Sequence, residues 1–277
     1  MLVRSSPCLC AHVAAATGAF LIVSTLHVAS AQTPQRDDRG GITGSISGGV
    51  GVAPDFEGSS DYDVVPFIFG DINALGVSLE IQGLGARLNF RPDRPFQFGP
   101  VFSYRPGRED VSNEVVDRLE DIDDSFEAGG FVSYEFTELF GSADSFALSA
   151  EVLADLGSGH EGWTASFGAG YGTSLGDRWR AGVDAGATWA SDDYMQTYFG
   201  VDRANSVRSG LPVFDAEAGI KDVGVGATLT YVLSDRWSVS GRASYTRLLG
   251  DAADSPIVEQ EGSPDQFFGG LGLTFRY

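Results

Sequence analysis

The sequence has few of the residues that build disulfides, metal centres or polybasic surfaces. Its two cysteines, Cys8 and Cys10, lie at the extreme N-terminus, so the rest of the chain has no thiol for a disulfide, a redox step or a cysteine metal site. Histidine occurs only three times, and Lys221 is the single lysine. With 18 basic against 38 acidic side chains and a formal net charge of −20, the chain is unsuited to binding nucleic acid.

Long apolar runs are also scarce, and the longest one is at the N-terminus. Arg4 precedes an apolar run over residues 13–28, which is shorter than the ~20 residues of a transmembrane anchor. Ala29 and Ala31 supply the small residues of a signal-peptidase site. We therefore predict a signal peptide over residues 1–31, a short periplasmic segment over 32–41, and one domain over 42–277. Cleavage would leave His160 as the one histidine.

What the chain does contain is alternation of apolar and polar residues, with 37 glycines and 12% aromatic residues. About twelve segments, most longer than the usual strand of ~5–6 residues, place apolar side chains at every second position. Residues 269–277, "GGLGLTFRY", put Leu271, Leu273, Phe275 and Tyr277 on one face. Segments of this length fit tilted strands that cross a bilayer, which need ~9–11 residues.

The connections between these segments alternate in length. We therefore predict an all-β, antiparallel, up-and-down transmembrane barrel of about 12 strands (10–14), with both termini in the periplasm. The connection at 82–83 is the one exception, because it is tight although its place in the alternation is among the long connections. The short set is 71–74, 91–95, 137–145, 176–178 and 234–236, and the long set is 53–61, 82–83, 106–124, 157–161, 190–217 and 247–265.

The polar faces of the predicted strands carry charges of both signs. Because buried charges of opposite sign tend to pair, we expect a salt-bridged and mostly occluded lumen rather than a wide pore; a water-lined channel with unpaired charges is the alternative. The residues concerned are Arg87, Arg105, Arg180, Arg242, Arg276, Glu80, Glu127, Glu151, Asp155 and Asp184.

Two places in the predicted loops are candidates for function. His160 is either a polar loop residue or part of a hydrolase site with a serine or an aspartate. A denser motif, "SDDYMQTYFGV" at 191–201, is either a binding surface, inward-folded or bridged by a cation, or a loop that packs on its own aromatic rings. Its candidate interaction residues are Asp192, Asp193, Tyr194, Tyr198 and Phe199.

The same motif, together with "GVGVAPDFEGSSDYDVVP" (49–66) and "DAADSPIVEQEGSPDQFFGGLGLTFRY" (251–277), resembles the MipA/OmpV family, also called the MltA-interacting protein family. The resemblance covers nearly all of 42–277 and implies an outer-membrane barrel of Gram-negative bacteria. It implies no catalytic residues, no cofactor and no metal. The last strand resembles the signal read by the barrel-assembly machinery, with Leu271, Leu273, Phe275 and Tyr277 as the candidate residues and Tyr277 where many relatives have Phe.

The resemblance also implies a function. One member of the family acts as a scaffold that bridges a lytic transglycosylase and a penicillin-binding protein during peptidoglycan remodelling. We therefore expect a non-enzymatic scaffold whose partners are those enzymes, outer-membrane lipid, lipopolysaccharide and the assembly machinery. The alternatives are a barrel that passes small solutes or antibiotics, a surface adhesin and, as the least favoured, an outer-membrane hydrolase.

Overall fold

The computed structural model describes residues 41–277. These residues form one closed barrel of twelve strands in which every neighbouring pair is antiparallel, and this confirms the predicted fold class. The predicted signal peptide at 1–31 and residues 32–40 of the predicted periplasmic segment lie outside the described residues.

The strands follow each other around the barrel in chain order. They are β1 Thr43–Pro54, β2 Tyr62–Ala74, β3 Val77–Gln82, β4 Gly85–Asn89, β5 Phe96–Arg105, β6 Ser125–Thr137, β7 Asp144–Asp155, β8 Trp163–Leu175, β9 Trp179–Ala190, β10 Gly219–Val232, β11 Trp237–Leu248 and β12 Asp265–Arg276.

The barrel closes where the last strand pairs with the first. Val50 of β1 lies opposite Leu271 of β12, and the register runs from Ser45 opposite Arg276 to Val52 opposite Gly269. Closure leaves no free edge at this seam, which a spanning sheet requires because lipid offers no hydrogen-bond partner.

Apolar side chains point outward and form a lipid-facing band. Val50 and Leu271, for example, are 59% and 66% exposed. Paired aromatic rings lie near both ends of the strands, where amphipathic rings meet the membrane interface. The pairs include Tyr104–Phe126, Trp163–Trp189 and Tyr245–Phe267 at one end, and Trp179–Tyr231 and Trp237–Phe275 at the other.

The two ends of the barrel differ in their connections. The end with turns 75–76, 90–95, 138–143, 176–178 and 233–236, where β1 begins and β12 ends, is called the turn end. The opposite end is called the loop end, and it carries α1 Asp192–Phe199, α2 Arg203–Ser209, α3 Gly250–Asp254, α4 Pro256–Glu259 and a 3-10 turn at Val116–Arg118. Within residues 41–277, no helix is long and apolar enough to cross a membrane.

The hairpin of β3 and β4 is the exception to this regular pattern. Its two-residue loop is Gly83 and Leu84, because Gln82 lies opposite Gly85, which shifts the predicted 82–83 connection by one residue. β2 pairs with β3 only from Phe69 onward, although β2 itself begins at Tyr62. The barrel wall is therefore lower at this hairpin than elsewhere.

Candidate functional site at the loop end

The loops at the loop end fold together and close the mouth of the barrel. Long segments between strands contribute buried apolar side chains to two clusters that pack across the opening. One cluster contains Ile122, Ala190, Tyr194, Met195, Tyr198, Phe199, Ala216, Leu248, Ala252 and Val258. The other contains Phe56, Val116, Leu119, Val201, Leu211 and Ile257.

Helix α1 is the central element of this closure. Ser191 caps it by accepting a hydrogen bond from the Tyr194 amide at 3.5 Å, and Asp192 and Asp193 occupy the first turn, where the helix dipole favours acidic groups. Its apolar residues recur at helical spacing, so Tyr194 and Tyr198 share one face. That face lies against the inner wall of the barrel.

The five candidate interaction residues divide into two groups. Asp192 and Asp193 are exposed, and Asp192 Oδ1 accepts a hydrogen bond from the Ala218 amide at 2.5 Å. The rings of Tyr194, Tyr198 and Phe199 are 0%, 5% and 0% exposed. These three rings therefore fill the mouth instead of facing a partner, and direct contact with an outside molecule is left to the two aspartates.

Tyr194 also has polar and charged neighbours. Its hydroxyl donates to Glu57 Oε2 at 2.9 Å, and the ring centroid lies 5.3 Å from the Arg105 guanidinium and 5.7 Å from Lys221 Nζ. The His160 ring packs edge-on at 5.0 Å. Burial raises the pKa of Tyr194 well above its usual value, so the phenol stays neutral. Below, Glu57, Arg105, His160, Tyr194 and Lys221 are called the Tyr194 cluster.

Lys221, the single lysine, links two loop-end segments inside the barrel. Its side chain is 3% exposed and forms ion pairs with Glu57 and with Asp222 Oδ2, the latter at 2.6 Å. The β9–β10 register shifts between Ile220 and Asp222. Such a bulge breaks the alternation, so both Lys221 and Asp222 face inward. Sequence analysis missed this pair; the one available signal was a Lys-Asp dipeptide that interrupts the alternation before Val223.

His160 lies in the loop between β7 and β8, and its side chain is buried. Nε2 donates to Glu127 Oε1 at 3.0 Å, and Nδ1 accepts from the Gly162 amide at 3.1 Å. Both ring nitrogens are therefore occupied by structural hydrogen bonds. The nitrogen that could accept a proton, Nδ1, is taken by a main-chain amide instead of a nucleophile, and this geometry gives His160 a structural role.

Ion pairs also occur in the lumen. Arg87 Nε lies 2.6 Å from Glu80, Arg105 Nε lies 3.0 Å from Glu127, and Arg242 Nη1 lies 2.8 Å from Asp184. Three of the five predicted lumen arginines therefore pair with predicted lumen carboxylates. The mostly occluded lumen itself stays a prediction.

Among residues 41–277, no group of three or more histidine, cysteine, aspartate or glutamate side chains is placed to hold a metal ion. Asp55 lies beside the mouth next to Asp63: burial, and then Asp63, raise the pKa of Asp55, although the Ser112 amide lowers it. The contacts of the site as a whole close the barrel and join its loops.

The four candidate insertion-signal residues lie on the outer face of the final strand. Leu271, Leu273 and Tyr277 are 66%, 45% and 46% exposed, and the Phe275 ring packs on Trp237 at 4.9 Å. They therefore continue the lipid-facing band as far as the turn-end aromatic rings.

A closed antiparallel barrel with an apolar outer band, two levels of aromatic rings and a charged interior defines the class of outer-membrane β-barrels. The family model described as "MltA-interacting protein MipA" matches residues 46–277, and the chain belongs to that family. The family resemblance found in the sequence is thereby confirmed.

Among its relatives, the MltA-interacting protein of Escherichia coli (strain K12) is 25% identical over 243 residues, which cover 84% of this chain and 90% of that protein. Outer membrane protein OmpV of Vibrio cholerae is 32% identical over 93 residues, 34% of this chain and 34% of that protein. An outer membrane channel of Pseudomonas putida F1 shares 12% identity with a TM-score of 0.45, covering 86% of this chain and 96% of that structure. The chain is a protein of the bacterial outer membrane.

Proposed function

We propose that this barrel is a non-enzymatic scaffold that binds peptidoglycan-remodelling enzymes, a lytic transglycosylase of the MltA type and a penicillin-binding protein, at its turn end. In this proposal the turn end and both termini of the mature chain face the periplasm, residues 1–31 are removed as a signal peptide, and the loop end meets lipopolysaccharide. The last strand carries the signal for the barrel-assembly machinery.

The observation that carries the proposal is the closed mouth. Ion pairs and rings of the Tyr194 cluster join the β1–β2 loop, α1 and β10, which favours a stable closed barrel over an open pore. The name of the Escherichia coli relative, an MltA-interacting protein, supports a protein partner. Occupied nitrogens on His160 support a non-enzymatic role.

The turn end offers a contact point of the right kind. Leu75 forms the tip of the β2–β3 turn and is 98% exposed, the highest exposure among the large apolar residues described. Ile72 is level with Gly44, and the Gly44 carbonyl accepts a hydrogen bond from the Tyr277 amide. Leu75 therefore lies about 10 Å beyond the interfacial Tyr277, measured along the strand. A leucine exposed to water beyond the lipid band gains free energy if an apolar pocket on a partner protein buries it.

The test is binding of the purified barrel in detergent to purified MltA from the same bacterium. Wild type should bind, and Leu75→Asn should bind at least about tenfold more weakly, the loss of one contact worth ~1.4 kcal/mol. Val207→Asn is the matched control, because Val207 is 86% exposed at the loop end, and it should bind as wild type does.

Failure of the wild type to bind MltA, combined with steady ion conductance in planar bilayers, would overturn the scaffold proposal in favour of transport. Equal binding by wild type and Leu75→Asn would move the contact elsewhere on the turn end and leave the scaffold in place.

A further inference from the structure

The barrel wall has an opening beside β2. The tip of the β3–β4 hairpin is joined to its neighbours by the Gly83 amide, which donates to the Ile68 carbonyl at 2.8 Å, and by the Leu84 carbonyl, which accepts from the Tyr104 amide at 3.1 Å. Beyond the tip, residues 62–67 of β2 pair with β1 alone among the described strands. This free edge is about 20 Å long, and β5 lies about 14 Å away across the gap left by two strands.

The opening is bounded above as well as below. The long loop that follows β5 crosses toward β1, because the Ser112 amide donates to Asp55 Oδ2 at 2.8 Å. With β2 on one side, the end of β5 and the loop after it on the other, and the Gly83–Leu84 tip beneath, these segments frame a window in the wall. Pro66 lies in the free edge, where a residue without an amide hydrogen leaves one fewer unpaired donor facing lipid.

The inner surface next to the window carries several apolar side chains. Val65, Phe67 and Phe69 point inward from β2, and the Phe67 ring lies 5.4 Å from Phe69 and 6.2 Å from Phe268. The three rings are only partly buried, although the lumen of a membrane barrel is ordinarily polar. These rings and Val65 form the lumen patch, defined as Val65, Phe67, Phe69 and Phe268.

Glycines on the adjoining strands make room for these rings. A Cβ atom on Gly272 of β12 would lie 3.2 Å from the Phe67 ring, and one on Gly51 of β1 would lie 2.7 Å from the Phe268 ring. The rings therefore pack against the backbone of β1 and β12. The patch lies at the β12–β1–β2 side of the lumen and begins at the β2 edge of the window.

We propose that the window admits one acyl chain of a membrane lipid from the leaflet at the loop end, and that the chain lies against the lumen patch. The mouth is closed by the Tyr194 cluster, so the wall offers the route to these rings. The window opens onto the lipid-facing band, whose surroundings are hydrocarbon. The lipid headgroup stays at the interface, beside the loop above the window. This inference does not depend on the scaffold proposal.

The experiment uses the purified barrel in nanodiscs that contain a phospholipid with a photoreactive diazirine at the end of its palmitoyl chain. After irradiation, mass spectrometry maps the labelled residues. We expect label on inward Phe67 and Phe268 as well as on the outward residues of β12. In Phe67→Asn, inward label at Phe268 should fall about tenfold through loss of apolar contact, and in Phe67→Leu it should stay within about twofold.

Leu271 serves as the internal reference, because its outward side chain meets lipid whatever happens at the window. A heat-dependent mobility shift on gels reports that each variant has folded. Label confined to outward residues in folded wild type would overturn the proposal. Inward label that is unchanged in folded Phe67→Asn would overturn it as well.

Discussion

The loop end and the turn end of this barrel are organised by opposite means. At the loop end, contacts join residues far apart in the chain: Glu57 reaches Lys221, 164 positions away. At the turn end, the chain reverses locally, and the β2–β3 turn is only two residues long between paired Ala74 and Val77. Long-range contacts bury charged groups and rings between loops, whereas the side chains of a two-residue turn are exposed because no other segment packs over them.

The two ends therefore suit different functions. A mouth held by buried ion pairs is costly to open, because removing one partner leaves the other charge unpaired in a low-dielectric site. Tight turns cost little to alter and present side chains in fixed positions. Closure is thus the role of the loop end, and the contacts with other molecules that we propose lie at the turn end and at the window in the wall.

Replacing the buried lysine should have the largest effect. Lys221→Met leaves Glu57 and Asp222 buried without a cation, and the free energy of unfolding should fall by about 3–5 kcal/mol. Urea unfolding in lipid vesicles measures this change, and planar-bilayer conductance should rise as the mouth loosens. Arg178→Met is the matched control: it also removes one positive charge, but from an exposed turn-end residue, and should change stability by no more than about 0.5 kcal/mol. Equal effects of the two substitutions would abolish the contrast between the ends.

At the turn end, the largest effect should come from Asp144, the buried carboxylate that braces the β6–β7 turn. It accepts hydrogen bonds from the Leu139 and Phe140 amides at 2.8 and 2.9 Å and from the Tyr171 hydroxyl at 3.1 Å. Asp144→Ala should lower the free energy of unfolding by about 2 kcal/mol, since it removes hydrogen bonds to a charged acceptor.

Asp177→Ala, in the next turn along the chain, is the control for Asp144→Ala, and circular dichroism during urea unfolding measures both. A loss as large as that of Lys221→Met would mean that the turn end depends on buried charge as strongly as the mouth does.

The barrel itself was predictable because the residues that determine each strand are close together in the sequence. Alternation fixes which face of a strand meets lipid, and β9 is an example: Val183 points outward, and its neighbour Asp184 points into the lumen and pairs with Arg242. Strand count and closure then follow from the number of such stretches and the need to pair the backbone groups of the first and last strands.

The mouth and the window were not predictable in the same way. Tyr194 and Lys221 are buried by residues from distant loops, and a β-bulge, which no alternation rule locates, turns Lys221 inward. Residues 62–70 carry no clean alternation, because β2 is apolar on both faces, outward at Val64 and Ile68 and inward at Phe67. In each case the environment of the side chain depends on tertiary contacts that local periodicity does not encode.

The smallest predicted effect concerns Leu75, and it is a gain. Leu75 and Gly76 have φ of 55° and 80°, the left-handed pair of angles that a two-residue hairpin loop requires and that favours Asn-Gly. A leucine in that region is destabilised by about 1 kcal/mol, so Leu75→Asn should raise the free energy of unfolding by up to about 1 kcal/mol.

Leu233→Asn is the control for Leu75→Asn, because Leu233 is 48% exposed at the same end and its φ is not positive. An equal change in the free energy of unfolding of the two variants, measured by urea unfolding, would contradict backbone strain at Leu75. A gain at Leu75 alone, with weaker binding to MltA, would mean that the exposed leucine stays at a cost to stability because a partner uses it.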